Sequence, residues 1–404
     1  MTLSRRAVAA LLGTGAAATV GGCARSAPSL AGQAGQDAPA NVPASTASAA
    51  PEVVMTPNVA EGTPVPVDTK VSVTASQGTL VEVGMTYTDP KDGPQTVQGT
   101  LAPDATTWTA NSLLEPGLTY QLVMQGQNPA GVTTSRTASF TTQNLSLKQQ
   151  VFPTIASSGT VGVAMPVVVR FDVPVTDRAT FQQHMSVTAE PATEGSWSWL
   201  SSTEAHWRPR ELWKPGTKVS ISVDINSVPA GNGRYGQKSV SGSMTIARSV
   251  ILKADLASHQ MTVVIDGAAA RTIPITGGKP GFETRSGKKV LMEKFASLKM
   301  DAASVGISKN DPEYYNIPDV KYALRETDSG EFIHAAPWSV SSQGKANVSH
   351  GCIGVSTENG AWLFKNCRVG DLIEVTGSKR GLETGNGWTD WNVSYEQFRK
   401  GSAL

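Results

Sequence analysis

Cysteine is scarce: Cys23, Cys352 and Cys367 are the three in 404 residues. A disulfide-stapled scaffold is thereby excluded, because one further use of any cysteine leaves a single pair. An excess of either charge is also missing. The 34 Lys and Arg nearly cancel the 33 Asp and Glu, and no basic stripe stands out, which argues against a nucleic-acid partner. The apolar run Ala7 to Val20, 14 residues long, is too short to span a bilayer as a helix. Charged residues make up only 17% of the chain, whereas Gly (39) and Pro (24) are plentiful. Such a composition suits short strands joined by tight turns and predicts a mainly β protein. At this length a single core is insufficient, and several domains of about 100–150 residues are expected.

The N-terminus reads as an address. Arg5-Arg6 precede the apolar stretch, which closes on Val20-Gly21-Gly22-Cys23, the layout of a signal peptide. The small-small-Cys ending resembles the bacterial lipobox, which implies that residues 1–23 form a lipoprotein signal peptide and that Cys23 is diacylated. Residues 24–50 are almost entirely Ala, Ser, Pro, Gly, Gln and Asn. They cannot bury enough apolar surface to fold and are expected to form a disordered linker, a leash between membrane and body.

An internal repeat organises the middle. Trp108 precedes Pro116-Gly117 by eight residues, and an alternating run Leu118 to Met124 follows; Trp207 precedes Pro215-Gly216 by eight, and Thr217 to Val223 follows. The offset is 99 residues, the size of an immunoglobulin-like sandwich. Alternation of apolar and polar residues marks half-buried strands. Two tandem Ig-like sandwiches are therefore expected at 51–146 and 147–249. Trp197, Trp199, Trp207 and Trp213 read as packing residues on those strands in preference to a glycan-binding face. His184 and His206 have no other ligand-type residues beside them and are not expected to bind metal.

From about Ser249 the texture changes to a third, β-rich domain at 250–377 with short helices. Val250 to Leu256, Met261 to Gly267 and Arg271 to Thr276 read as successive strands, and Ser356 is placed to cap a helix containing Ala361 to Lys365. A C-terminal extension, 378–404, is expected to pack on this domain. Here His334 and Ser349-His350-Gly351-Cys352 place two imidazoles and one thiol within 19 residues. A free thiol, with an ordinary pKa of about 8.5, needs a neighbouring base to be a nucleophile at neutral pH. Histidine suits that need, and Gly351 leaves backbone amides open to a developing oxyanion. A zinc site of His334, His350 and Cys352, a Cys352–Cys367 disulfide and a merely structural Cys352 are the alternatives.

The pattern His334-x14-Ser349-His350-Gly351-Cys352 resembles the signature of the YkuD-type L,D-transpeptidase catalytic domain. The likeness extends to His334-Ala335-Ala336-Pro337-Trp338-Ser339-Val340, Gln343-Gly344, Gly370 to Val375 and Asp390-Trp391-Asn392. With the leader and the two Ig-like modules, the whole is similar to the mycobacterial-type L,D-transpeptidases of actinobacteria. The resemblance implies a cysteine acyltransferase. Cys352 would attack the carbonyl between the third and fourth residues of a peptidoglycan tetrapeptide stem, release D-alanine and hold a thioester. His334 would be the base, oriented by the Ala335 carbonyl. His350 and the amides of Gly351 and Cys352 would hold the oxyanion, and Ser349 would support the loop. Tyr314 or Tyr315 would be the lid tyrosine and Trp338 an aromatic wall. An amine of a second stem would resolve the thioester into a 3→3 cross-link; water in its place would give an L,D-carboxypeptidase, a protein amine an anchoring enzyme, and without chemistry the sandwiches alone would make a wall-binding spacer. No cofactor is implied, and carbapenem-type β-lactams would acylate Cys352. The site would face outward from the cytoplasmic membrane into the wall. One departure stands out: Gly354 occupies a position where many relatives carry Asn.

Overall fold

The computed structural model describes residues 51–404; the leader 1–23 with Cys23, and the 24–50 linker, lie outside the described residues. In the first sandwich one sheet runs Val54–Pro57, Ser72–Ser76, Thr107–Ala110, Gly99–Leu101 and the other Gly93–Val97, Thr79–Asp89, Thr119–Gln127, Thr133–Thr141. The second repeats the theme with Pro153–Ile155, Val167–Phe171, Glu204–Pro209, Gly195–Trp199 facing Gly159–Val161, Val240–Ile246, Lys218–Val223, Met185–Glu190. The repeated Trp explains itself structurally. A Cβ on Gly99 would come within 2.1 Å of the Trp108 indole, and one on Gly195 within 2.1 Å of the Trp207 indole, so in each sandwich an indole lies flat on a neighbouring strand that only glycine can provide. The repeated Pro-Gly also has a cause: Gly117 and Gly216 take φ of +69° and +84°, the left-handed region glycine enters without cost. Trp197, Trp199, Trp207 and Trp213 are all buried; Trp207 stacks on Trp213, and Trp213 donates to the Met165 carbonyl at 2.8 Å. They fill the core of the sandwich.

Beyond Ser249 two sheets carry the chemistry. A five-stranded sheet runs Ala268–Pro274, Gln260–Ile265, Val250–Asp255, Leu372–Thr376, Gly287–Val290; a four-stranded sheet runs Glu293–Asp301, Asn316–Arg325, Phe332–Ala335, Ile353–Val355. Helix Thr357–Asn366 starts where Ser356 accepts a hydrogen bond from the Asn359 amide, and its Leu363 is buried between the sheets. The second sandwich and this region share one core. Val290, Leu372 and Trp388 belong to the same buried cluster as Trp207 and Trp213, and the amides of Gly162 and Ala164 bond the carbonyls of Val369 and Gly370, each at 2.8 Å. Residues 378–404 lie over both. Asn392 accepts from the Lys288 amide at 3.1 Å, while Trp391 donates to the Ala164 carbonyl at 2.7 Å and Gln182 to Ser402 at 2.6 Å.

Candidate active site

Strands Phe332–Ala335 and Ile353–Val355 run parallel with His334 opposite Gly354. That register sets the imidazole beside the loop that ends at Cys352. The loop is held from several sides. The Ser349 amide donates to the Gly277 carbonyl and the Lys279 amide to the Ser349 carbonyl, each at 2.9 Å, and Thr284 donates to the Gly351 carbonyl at 2.7 Å. Ser349 Oγ donates to the Cys352 carbonyl at 2.6 Å and accepts from the Gly351 amide at 3.1 Å. Gly351 has φ +123°, which a side chain would oppose. In the free protein the Gly351 amide, expected at the oxyanion, already has a partner. A hydroxyl two residues earlier takes its N–H, and the glycine serves by its conformation.

His334 is 6% exposed. Its Nδ1 lies 2.9 Å from the Ala335 carbonyl oxygen. A carbonyl only accepts, so Nδ1 carries the proton and Nε2 the lone pair. Burial holds this imidazole below its usual range, and it is neutral at pH 7. Cys352 keeps part of its surface open to the cleft, but its sulfur is enclosed, 3.7 Å from the Gly330 carbonyl. Burial pushes the thiol up to about 12; the Phe332 amide favours the thiolate, Glu326 and Glu331 oppose it, and Lys289 favours it. The resting pair is therefore thiol and neutral imidazole. A thiol in such a pair can act as a nucleophile only if a base takes its proton as the new bond to sulfur forms.

Both side chains line one cleft of about 320 Å³, with Thr276, Met300, Tyr315, Ile317, Trp338 and His350 among its walls. Trp338, 56% exposed, stands at the mouth with its ring 5.8 Å from that of His334. Of the two tyrosines, Tyr315 lines the cleft, its ring 5.0 Å from that of His350, and burial pushes its hydroxyl up to about 12. Tyr314 is not among the lining residues. His350 Nε2 is engaged by Glu313 Oε2 at 2.7 Å, and its ring meets the edge of Phe282 at 4.8 Å. Ala335 contributes its carbonyl. Cys367 is buried in the core between the sheets and Cys352 packs beside Met300 and Phe332; both are free thiols.

The departure at Gly354 has a steric reason. Thr276 and Gly354 exchange backbone hydrogen bonds of 3.0 and 2.8 Å, and a Cβ at 354 would stand 2.8 Å from Thr276 Cγ2 and 3.1 Å from Ala336 Cβ. The threonine methyl fills the space a larger residue would need. Sequence reasoning missed Thr276, Lys279 and Glu313, and it missed a buried charge cluster behind Cys352: Lys289 Nζ is 2.7 Å from both Glu326 Oε2 and Glu331 Oε2, and Arg285 is 2.9 Å from Glu331. Only the Gly277-Gly278-Lys279-Pro280-Gly281 turn carried any local sign of a built loop. Among the described residues no group of three His, Cys, Asp or Glu is placed to hold a metal.

Residues 249–375 match the L,D-transpeptidase catalytic domain family (YkuD), and residues 62–229 match the bacterial Ig domain family. The chain is 34% identical over 340 residues to L,D-transpeptidase 2 of Mycobacterium tuberculosis (strain CDC 1551 / Oshkosh), a match covering 84% of this chain and 82% of that protein. L,D-transpeptidase 1 of M. tuberculosis (strain ATCC 25618 / H37Rv) is 39% identical over 222 residues, 55% of this chain and 82% of that one. Among solved structures, the LD transpeptidase LdtMt1 in complex with imipenem shares 37% identity and a TM-score of 0.48, covering 55% of this chain and 99% of that one.

Proposed function

Since the chain belongs to the L,D-transpeptidase family, we propose that it forms 3→3 peptidoglycan cross-links through a thioester on Cys352. The observation that supports this reading is the one cleft lined by both Cys352 and His334; the Nδ1 of His334 is tied to a backbone carbonyl, so that Nε2 is left as the base. His334 takes the thiol proton as sulfur bonds the carbonyl carbon of the donor's third residue. The tetrahedral adduct collapses, the C–N bond to the fourth residue breaks, and D-alanine departs with the proton from His334. An amine of a second stem then attacks the thioester carbonyl, gives a proton to His334, and the sulfur leaves and recovers it as thiol. Trp338 and Tyr315 give the cleft apolar walls that exclude water from the thioester. With Cys23 lipidated, the active site would work outside the cytoplasmic membrane, in reach of the wall; fatty-acid labelling lost in Cys23→Ala tests the anchor.

The experiment is product analysis. Purified protein is incubated with a disaccharide-tetrapeptide, and products are followed by mass spectrometry. Cross-linked dimer with release of D-alanine is expected. Tripeptide alone would show that water is the acceptor, and unchanged substrate would overturn the proposal.

A further inference from the structure

We propose that Lys279 and His350 form a subsite for the terminal carboxylate of the donor's leaving residue, and that Glu313 occupies it in the free enzyme as a tethered competitor. The inference rests on the transpeptidase reading of the cleft and names how the leaving end of its substrate is held.

One oxygen carries the case. Glu313 Oε2 takes both Lys279 Nζ, at 2.5 Å, and His350 Nε2, at 2.7 Å. Neither side chain has another ion-pair partner among the described residues. The two halves of the pair are built differently. Lys279 belongs to the turn whose backbone is bonded to Ser349 in both directions, so its position is fixed to the nucleophile loop. Its ammonium also lies 5.4 Å over the Phe282 ring, and Phe282 in turn meets His350 edge-on. Glu313 comes from the separate loop between Ala302–Val305 and Asn316–Arg325. That loop is braced mainly by itself: the Glu313 amide donates to Asp311 Oδ1 at 2.9 Å and the Tyr314 amide to the Asp311 carbonyl at 2.9 Å. A lysine ammonium and an imidazole fixed beside the loop, facing a carboxylate on a loop of its own, is the arrangement of a displaceable ligand.

Chemistry names what displaces it. Cleavage at the third residue expels an amino acid whose carboxylate enters a cleft walled largely by Met300, Ile317, Tyr315, Trp338 and Val348. A carboxylate leaving water for such walls needs a charged or hydrogen-bonding partner. His350 lines that cleft and shares its carboxylate with Lys279. The side chains of Lys279, Glu313 and His350 are 30%, 38% and 23% exposed, so exchange of one carboxylate for another costs little, as for other solvated pairs.

The test compares two donors, a disaccharide-tetrapeptide ending in free D-alanine and its C-terminal amide, with purified full-length protein. In Lys279→Met, KM for the free-acid donor should rise about ten-fold while KM for the amide stays within about two-fold. In Glu313→Gln, KM for the free acid should fall by about two- to five-fold with kcat unchanged. In the double variant the benefit of Glu313→Gln should vanish. Calorimetric binding of both donors to Cys352→Ser should reproduce the same differences without turnover. Equal losses on both donors in Lys279→Met, or an unchanged KM in Glu313→Gln, would overturn the subsite and leave the transpeptidase reading standing. A wild-type protein that releases D-alanine from neither donor would overturn the reading itself.

Discussion

Replacing Lys289 by Met tests the charge cluster behind Cys352. Lys289 is 1% exposed at its side chain, Glu326 0% and Glu331 5%. Desolvation works against the Lys289 ammonium, and the two carboxylates more than compensate, holding its pKa above the usual value. Burial pushes Glu326 up, with Lys289 opposing that rise and Glu331 adding to it. Loss of the lysine leaves the carboxylates unequal. Glu331 keeps Arg285 at 2.9 Å; Glu326 loses its ion-pair partner, and its Oε1 has no hydrogen bond to begin with. Breaking a buried pair from one side costs about 3–5 kcal/mol. For a folding unit of this size that is a fall in Tm of roughly 6–20 °C. Lys289→Met/Glu326→Gln should recover most of the loss, because it removes the stranded charge. The cluster also reaches the thiol. Both carboxylates oppose the Cys352 thiolate and Lys289 favours it, so the pH midpoint of iodoacetamide alkylation should move up in Lys289→Met and return in the double variant. Urea unfolding, calorimetry and the alkylation profile measure the three quantities. A loss under about 1 kcal/mol, or a double variant less stable than the single, would refute the reasoning.

His206 makes a second, pH-dependent prediction. Complete burial works against its imidazolium, but Asp390 at 2.8 Å and Glu204 at 2.7 Å outweigh it and raise its pKa to about 9. A raised pKa gives stability that is complete below the unfolded value near 6.5 and is lost as pH climbs through 9. The loss should amount to about 3 kcal/mol, and His206→Gln should flatten it; a stability curve level from pH 6 to 9.5 in the wild type would sink the idea. Gly354→Asn should cost about 1–3 kcal/mol by overpacking, and adding Thr276→Ser should relieve it, since Thr276 Oγ1 keeps its bonds to the Ala346 carbonyl and the Val348 amide while Cγ2 is removed. Imipenem should add one drug mass to the intact protein and none to Cys352→Ala; an undiminished adduct in the variant would place the nucleophile elsewhere.

These perturbations fall largely on residues that local sequence reasoning passes over, and the reason is physical. Ser349-His350-Gly351-Cys352 is legible because four consecutive residues carry the chemistry, and the Trp and Pro-Gly landmarks are legible because they recur at one offset. Lys289 stands beside Lys288 in an ordinary Gly-Lys-Lys turn-to-strand sequence. Only the pairing of Lys289 with Ile373 and of Lys288 with Glu374 decides which lysine points inward, and a slip of one residue would exchange their fates. Glu326 and Glu331 then arrive from 37 and 42 residues away, and Glu313 reaches His350 across 37. Asp390 meets His206 across 184, although Glu204, its other partner, stands only two residues away. Even Gly354, visible as an oddity, acquires its cause only when Thr276 comes to lie against it. The motif points to Cys352 and His334 as the candidate nucleophile and base; the charges that set when the thiol ionises, and what else the cleft can hold, are assembled by strand register and loop contact.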